Sequence, residues 1–388
     1  MMKVPFFRAS ITDEEIKAAE RILKSGWLTS GQETQSFEKE FAAKVGSPFA
    51  FAVNSNTSGM LLAMEALGVK KGTAVITTPY TFVSTASCAL HLGADVLFAD
   101  IEKNSYSIDP QKVEAILKTP QGKDVAAIVP VHIAGNVCNM ESICAIAKKY
   151  DVKVIEDCAH SFPSETDLGF AGTIGDAGVF SFYATKTITC GEGGMVCVRD
   201  EDAAHRISLM RLHGMSRDAW KRYTDSDASF LYDVEDLGFK SNLPDILSAV
   251  ARVQLGRADE LFEKRKAHAR KYDEAFSKMD FVKIPPTGKG DARHLYLLRL
   301  ELSRLACNRD FFAKELQRRG IGISVHFIPL FHFSYWKRVM PSFTADAFPE
   351  AEAKFLQTIS LPLWPDMTDE MTDYVIRCVR EIGEANRA

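Results

Sequence analysis

The sequence is first informative for what it lacks. No apolar run reaches the roughly 18 residues needed to cross a bilayer, so no membrane span is expected. The eight cysteines stand at 88, 138, 144, 158, 190, 197, 307 and 378. None form a C-x-x-C pair and no His/Cys cluster has zinc spacing, so they read as reduced core thiols and no metal is assigned. The two histidines of HFIPLFH (326–332) stand six apart around a proline, which is poor spacing for a metal. The net charge is only −4, so nothing points to a polyanion-binding surface or a nucleic-acid partner. The P-loop pattern G-x-x-x-x-G-K-[ST] is missing, and no G-x-G-x-x-G follows the first strand, which argues against a nicotinamide site. There is no internal repeat and no low-complexity segment. The amino-terminal MMKVPFFRASITDEE carries no hydrophobic core of signal-peptide length, so a cytoplasmic protein is expected.

What is present is an ordinary globular composition, 46% hydrophobic and 25% charged over 388 residues. That length suits two domains, or one large domain with an appendage. Thr12 and Glu15 form a capping-box signature for a helix ending near Gly26, and a second helix is expected over about 33–45. Short apolar runs follow at 50–53, 74–77, 95–98, 126–131 and 152–156. Helical stretches lie between most of them, at 58–67, 81–92, 110–117 and 140–149. Continuous apolar strands alternating with helices predict a mostly parallel sheet covered on both faces. A long amphipathic segment, about 244–279, reads as a connector. Strand candidates at 295–302 and 323–327, mixed with helices near 308–319, 349–357 and 368–385, then read as a smaller α+β domain.

The chemistry starts from Lys186, in GVFSFYATKTITCGEGGMVCV between two β-rich runs. Burying a lysine charge unpaired is costly. A lysine kept in such a stretch either acts through an amine whose pKa burial has lowered, as Schiff-base chemistry requires, or reaches solvent from a hairpin edge. On this segment alone both readings stand. Ligands of open α/β sheets bind beyond the carboxyl ends of strands, and two more segments of that kind are unusual. NSNTSGMLLAMEAL (54–67) runs small polar residues into a helix, which is either plain capping or an anion site suited to a phosphate. VIEDCAH (154–160) places Asp157 just past a buried strand, with Glu156 before it and His160 one helical turn on. Asp157 either caps the next segment or pairs with a protonated ring nitrogen. Ser181 is placed to add a hydroxyl to the phosphate site. Gly191, Gly193 and Gly194 are expected to turn the backbone behind the lysine, and Tyr80 and Phe82 are two aromatics for covering a ring. Together a phosphate cradle, an aspartate and a later lysine fit pyridoxal phosphate, whose pyridine acts as an electron sink when protonated.

At this point several long blocks in order resemble the DegT/DnrJ/EryC1/StrS family of sugar aminotransferases, fold type I enzymes dependent on pyridoxal phosphate. The blocks are SGWLTSG (25–31), PYTFVSTASCALHLGADVLFADIE (79–102), VIEDCAHS (154–161), GDAGVFSFYATKTITCGEGGMV (175–196), MRLHGMSRDAW (210–220) and GFKSNLPDILSAV (238–250). The resemblance implies a large cofactor-binding domain over 1–250 with a mostly parallel seven-stranded sheet, and a small α+β domain over 251–388. By the same resemblance, Lys186 carries the Schiff base with the cofactor and then shuttles protons. Asp157 pairs with the pyridine nitrogen, Phe82 stacks on the ring, and His160 lies near its hydroxyl. Asn56, Thr57 and Ser181 hold the phosphate. A homodimer completes each site, with Lys240 or Asn242 of the neighbouring subunit reaching the phosphate. Asn56 stands where the family often has glycine, Ala134 where an aromatic is frequent, and Pro244, Leu247 and Ser248 interrupt a later block. The expected activity is transfer of an amino group, from glutamate, to the ketone of a nucleotide-linked keto-deoxy sugar. Arg8, Arg217 and Lys221 are candidates for its phosphates, and His326 for the sugar. A sugar dehydratase of the same family is the alternative, disfavoured because those members carry histidine in place of the lysine. A non-catalytic, ligand-sensing homologue would not require both Lys186 and Asp157.

Overall fold

The computed structural model describes residues 2–216, 232–288 and 290–388. Strands β1 (Phe49–Val53), β2 (Ala74–Thr77), β3 (Asp95–Phe98), β4 (Val125–Ile128) and β5 (Lys153–Cys158) are buried apolar runs. β6 (Glu165–Thr166) and β7 (Gly169–Phe170) form a small separate hairpin, and β8 (Ala177–Ser181) and β9 (Gly194–Val198) return to the main sheet. That sheet has seven strands in the order β1-β9-β8-β5-β4-β2-β3. Only β9 runs against its neighbours. Six strands therefore point their carboxyl ends to one edge, which is where the loops at 54–57, 78–82, 129–134, 157–160 and 181–186 emerge. Helices α1 (Asp13–Ser25), α2 (Gln32–Val45), α3 (Asn56–Ala66), α4 (Val83–His91), α5 (Pro110–Leu117), α6 (Met140–Tyr150) and α7 (Glu201–Met210) pack around the sheet. This is the expected α/β architecture.

The expected connector is two helices, Asp245–Gly256 and Ala258–Phe276, divided at Arg257. Beyond them β10 (Val282–Lys283), β11 (Tyr296–Leu300) and β12 (Thr358–Leu361) form an antiparallel sheet. Helices Arg309–Arg318 and Asp369–Ala385 cover it through Phe312, Leu316, Val375 and Val379, all fully buried. The expected strand at 323–327 is not formed. Its place is taken by β12, and the earlier segment makes only one bridge, Ser324 to Ser360. Pro329, which has no N–H for a ladder, follows soon after, and the chain there turns toward the sheet edge instead. Among the described residues no helix is long and apolar enough to cross a membrane.

Two buried carboxylates tie remote segments to helix starts. The capping box at Thr12 forms as expected. Glu15 Oε1 also accepts from Gln254 Nε2 and Arg257 Nη1, each at 2.6 Å. Burial raises the Glu15 pKa, but the hydrogen bonds from Thr12, Gln254 and Arg257 outweigh it and hold the carboxyl at about 2. Helix α2 has no side-chain cap of its own, because its N-cap is Gly31. Asp245, from far along the chain, supplies one: it accepts from Gly31 N at 2.7 Å, Thr34 N at 3.0 Å and Thr34 Oγ1 at 2.7 Å. Asp245→Ala takes this acceptor from the buried N–H groups of Gly31 and Thr34, while Thr34 Oγ1 keeps Leu243 O. It is expected to lower the unfolding free energy by about 2–3 kcal/mol in urea titration, whereas an unchanged midpoint would show that the cap contributes nothing.

Candidate active site

The carboxyl edge of the main sheet opens into a cavity of about 500 Å³, within the range of small-molecule sites. Each functional side chain enters it from a strand end. β5 shows how the pleat sorts them: adjacent residues face opposite sides, so Asp157 faces the cavity while Glu156 points away. Glu156 is fully buried and accepts from Gly172 N, Ile174 N, Gly175 N and His132 Nε2 at 2.7–2.9 Å. It therefore organises the following loop. His132, Glu156 and Cys158 bring donor atoms within 4.8 Å of one another. The Glu156 oxygens and both His132 nitrogens are already engaged in hydrogen bonds, His132 Nδ1 accepting from Cys138 N, so the group reads as a bonded core.

Asp157 is almost fully buried. It accepts from Thr85 Oγ1 at 2.8 Å, Ala159 N at 3.2 Å and Asn56 Nδ2 at 3.5 Å. Lys186 lies half-buried on the turn after β8, where its N–H reaches Tyr183 O. Among the described residues its amine has no hydrogen-bond or ion-pair partner. Burial pulls its pKa down to about 8 against the opposing pull of the Asp157 carboxylate. The hairpin-edge alternative therefore does not describe this residue, whose amine faces a cavity rather than bulk solvent.

At the start of α3, Ser55 caps Ser58 N at 3.1 Å, leaving the N–H groups of Asn56 and Thr57 in the first turn without intrahelical partners. The Asn56 side chain is spent elsewhere, donating to Val179 O at 2.8 Å as well as to Asp157. What Asn56 offers an anion is thus its backbone N–H. Ser181 Oγ accepts from Tyr183 N at 3.3 Å and lines the same cavity. Of the three glycines expected to turn the chain, only Gly191 uses a positive φ, at 91°. Gly194 is required for another reason: a Cβ there would meet Asn56 N at 2.8 Å and Phe180 O at 2.8 Å. The bare backbone of β9 lets the α3 terminus seat against the sheet.

The two aromatic candidates separate cleanly. Tyr80 is fully buried and donates to His326 O at 2.9 Å, while Phe82 is 58% exposed and lines the cavity. His160 stacks on Phe327, with ring centroids 5.5 Å apart and planes at 17°, and its Nδ1 accepts from Ala134 N at 3.3 Å. Burial, then the charges of Lys186 and His326, hold it well below 6.5. His326 bonds Ser360 Oγ at 2.8 Å and stacks on Phe6; burial and Lys186 bring it to about 4. The cavity thus assembles Asn56, Thr57, Phe82, Asp157, His160, Ser181, Lys186 and His326.

Other candidates fall elsewhere. Arg8 is exposed and lines a smaller recess behind Lys186. Lys240 is exposed and bonds Asn242 Oδ1, and Asn242 Nδ2 reaches Ser30 Oγ at 2.6 Å beside a separate recess. Neither lines the cavity of its own protomer. Arg217 and Lys221 lie outside the described residues. Sequence reasoning missed His294, Phe6, Phe7 and Glu192, which all line the cavity. The histidine of RHLYLL and the amino-terminal aromatics carry no local signal, because tertiary packing alone brings them in.

Comparison with known proteins agrees with this geometry. The sequence profile of the DegT/DnrJ/EryC1/StrS aminotransferase family matches residues 9–380. The spore coat polysaccharide biosynthesis protein SpsC of Bacillus subtilis is 42% identical over 383 residues, 98% of this chain and 97% of that protein. A Streptococcus pneumoniae protein assigned as a sugar aminotransferase and solved in PMP, PLP and apo forms superposes with a TM-score of 0.91 in its PMP form. That match is at 28% identity and covers 99% of this chain and 100% of the other. PseC of Helicobacter pylori, an aminotransferase of pseudoaminic acid biosynthesis, gives a TM-score of 0.89 at 27% identity, covering 99% and 100%. A match of this extent in sequence, joined to the same fold over essentially whole chains, means that the chain belongs to the DegT/DnrJ/EryC1/StrS aminotransferase family.

Proposed function

We propose that the protein is a pyridoxal-phosphate-dependent aminotransferase that moves an amino group from glutamate to the ketone of a nucleotide-linked keto-deoxy sugar. The observation that carries this reading is the unpaired Lys186 amine, held near a pKa of 8 in a cavity it shares with buried Asp157. The residues fit the cofactor. The free N–H groups at the α3 terminus, with Gly194 packed against Asn56 N and Ser181 lining the same cavity, are suited to a phosphate. Asp157 is buried and held by three donors, as a partner for a protonated ring nitrogen must be. Phe82 presents its exposed ring where a stacking face is needed.

When bound, pyridoxal phosphate supplies an aldehyde for amine exchange and an electron-withdrawing ring. The protein supplies the rest. Lys186 Nζ accepts the proton given up by the substrate carbon and returns it on the other side of the transfer, a role for which a pKa near the working pH is favourable. Asp157 keeps a proton on the ring nitrogen by its negative charge. Phe6, Phe7, Phe327 and Leu363 exclude water around the reacting atoms.

Charge supports a shared site. Among the described residues Lys186 is the sole lysine or arginine lining the cavity, too little for a nucleotide diphosphate and a cofactor phosphate together. Lys240 and Asn242, outside their own cavity and partly exposed, are then available to the cavity of a second subunit in a homodimer. The division into a large domain over 1–250 and a small one over 251–388 belongs to the same proposal. It draws support from the separate apolar cluster of Tyr272, Phe281, Leu298, Phe312 and Ile382.

Three outcomes follow. Borohydride treatment of the purified protein is expected to leave a pyridoxyl mass on the Lys186 peptide, and Lys186→Ala to lower transamination by about 10³-fold; a variant transferring nitrogen at the wild-type rate would refute the mechanism. The rate at which apo-protein captures pyridoxal phosphate should rise with pH through about 8 and then level, since only the neutral amine attacks. A capture rate already level by pH 6 would contradict the lowered but protonatable amine. In a panel of nucleotide-linked keto sugars with ¹⁵N-glutamate, at least one product should retain the label by mass.

A further inference from the structure

His294 is a buried imidazole in the cavity wall, 2% exposed, to which the reaction above assigns no part. Its backbone is pinned at both ends. Its N–H donates to Ala134 O at 2.9 Å, and its carbonyl accepts from Arg265 Nη1 at 3.1 Å. The same Ala134, in the left-handed region at φ 60°, gives its own N–H to His160 Nδ1. Ala134 thus anchors both the His160 ring and the His294 backbone, and the two ring centroids lie 4.5 Å apart.

These contacts select tautomers. His160 Nδ1 accepts a hydrogen bond, so its neutral ring carries the proton on Nε2. His294 Nδ1 is sealed from solvent and has no partner among the described residues. An orphaned buried N–H is rarer than an under-satisfied acceptor, which puts the proton of His294 on Nε2 too, the nitrogen on the ring edge remaining for the cavity. Neither ring is charged: burial first, then His160, Lys186, Arg265 and His326, keep His294 well below 6.5. Neither Nε2 has a hydrogen-bond partner among the described residues. Two neutral rings therefore stand side by side in the cavity wall, each with an N–H that no described residue receives. The cavity's anion-binding groups, the Lys186 amine and the α3 terminus, are assigned to the cofactor, which leaves these two neutral donors to an uncharged oxygen.

We propose that His294 is a specificity-determining residue which, with His160, forms a two-donor site for an uncharged hydroxyl oxygen of the amino acceptor, next to its reacting ketone. The inference rests on the aminotransferase reading above. Its test pairs His294→Phe, which removes the donor, and His294→Gln, which keeps one, with keto-sugar acceptors carrying or lacking the neighbouring hydroxyl. His294→Phe is expected to raise KM for the hydroxylated acceptor about tenfold, with KM for glutamate and the absorbance of bound cofactor as in the wild type. His294→Gln should recover most of that loss. Removing the hydroxyl should cost the wild type about tenfold and the Phe variant nothing. Equal losses on both proteins overturn the site. A changed cofactor absorbance without a change in acceptor KM also overturns it, because the oxygen received would then be the cofactor's own. If His294→Phe does not fold, His294→Leu, which also removes the donor, takes its place in the same acceptor comparison and under the same criterion. A wild type that transfers nitrogen to no keto sugar overturns the functional reading and this inference together.

Discussion

The structure is organised around the cost of holding a lysine amine out of water without a permanent counter-ion. Burial lowers the Lys186 pKa to about 8, and the Asp157 carboxylate limits how far it falls. If Asp157 sat much closer, the amine would stay charged and form an ordinary ion pair. Without it, the amine would lose its proton altogether at lower pH. Everything that fixes this balance is backbone architecture. Asp157 is set by β5 between β4 and β8, and Lys186 by the turn that leaves β8. The sheet holds Asp157 directly, and Lys186 through a turn closed by its own N–H to Tyr183 O.

The same field governs the histidines. Lys186 contributes to keeping His160, His294 and His326 uncharged, so three residues that would be partly cationic in water act here as neutral hydrogen-bonding rings. Stacking adds to the effect: His160 lies on Phe327 and His326 on Phe6, which removes water from their faces. Burial chiefly, with the Lys186 charge second, thereby keeps the wall a surface for uncharged groups.

How much of this was legible depends on distance along the chain. Asp157 and Ser181 lie at the ends of β5 and β8, and His160, Phe82 and Lys186 follow strand ends within five residues. Each is within a block whose pattern is local, and strand ends of a parallel sheet converge by topology alone. The α/β class followed from the same alternation. The direction of the Asn56 side chain was not legible, because it depends on the carbonyl of Val179, more than a hundred residues away. β12 was missed because its sequence, TISL, alternates over only four residues directly after a helix, too short for its period to stand out. Gly194 was read as a turn when its function is steric, a distinction visible only once α3 and β9 are placed together. His294 and Phe6 belong to segments whose own sequence explains nothing about why they are polar or aromatic.

Charge then separates what one chain can do from what the proposed reaction requires. Among the described residues the cavity wall of a single chain is largely apolar and holds one lysine, three neutral imidazoles, buried Asp157 and exposed Glu192. Such a wall can exclude water and orient an uncharged sugar ring. It cannot balance the charges of two or more phosphates, since the α3 terminus offers only the partial charge of a helix end. Lys240 has the complementary difficulty: desolvation depresses its pKa, and its amine bonds only the neutral Asn242 amide oxygen among the described residues. A cation held without an anion on one subunit and an anion site short of cations on another are mutually satisfying, and a two-fold arrangement would meet both needs twice. In the reading proposed here, the homodimer is therefore an electrostatic requirement of the substrate before it is a matter of buried area.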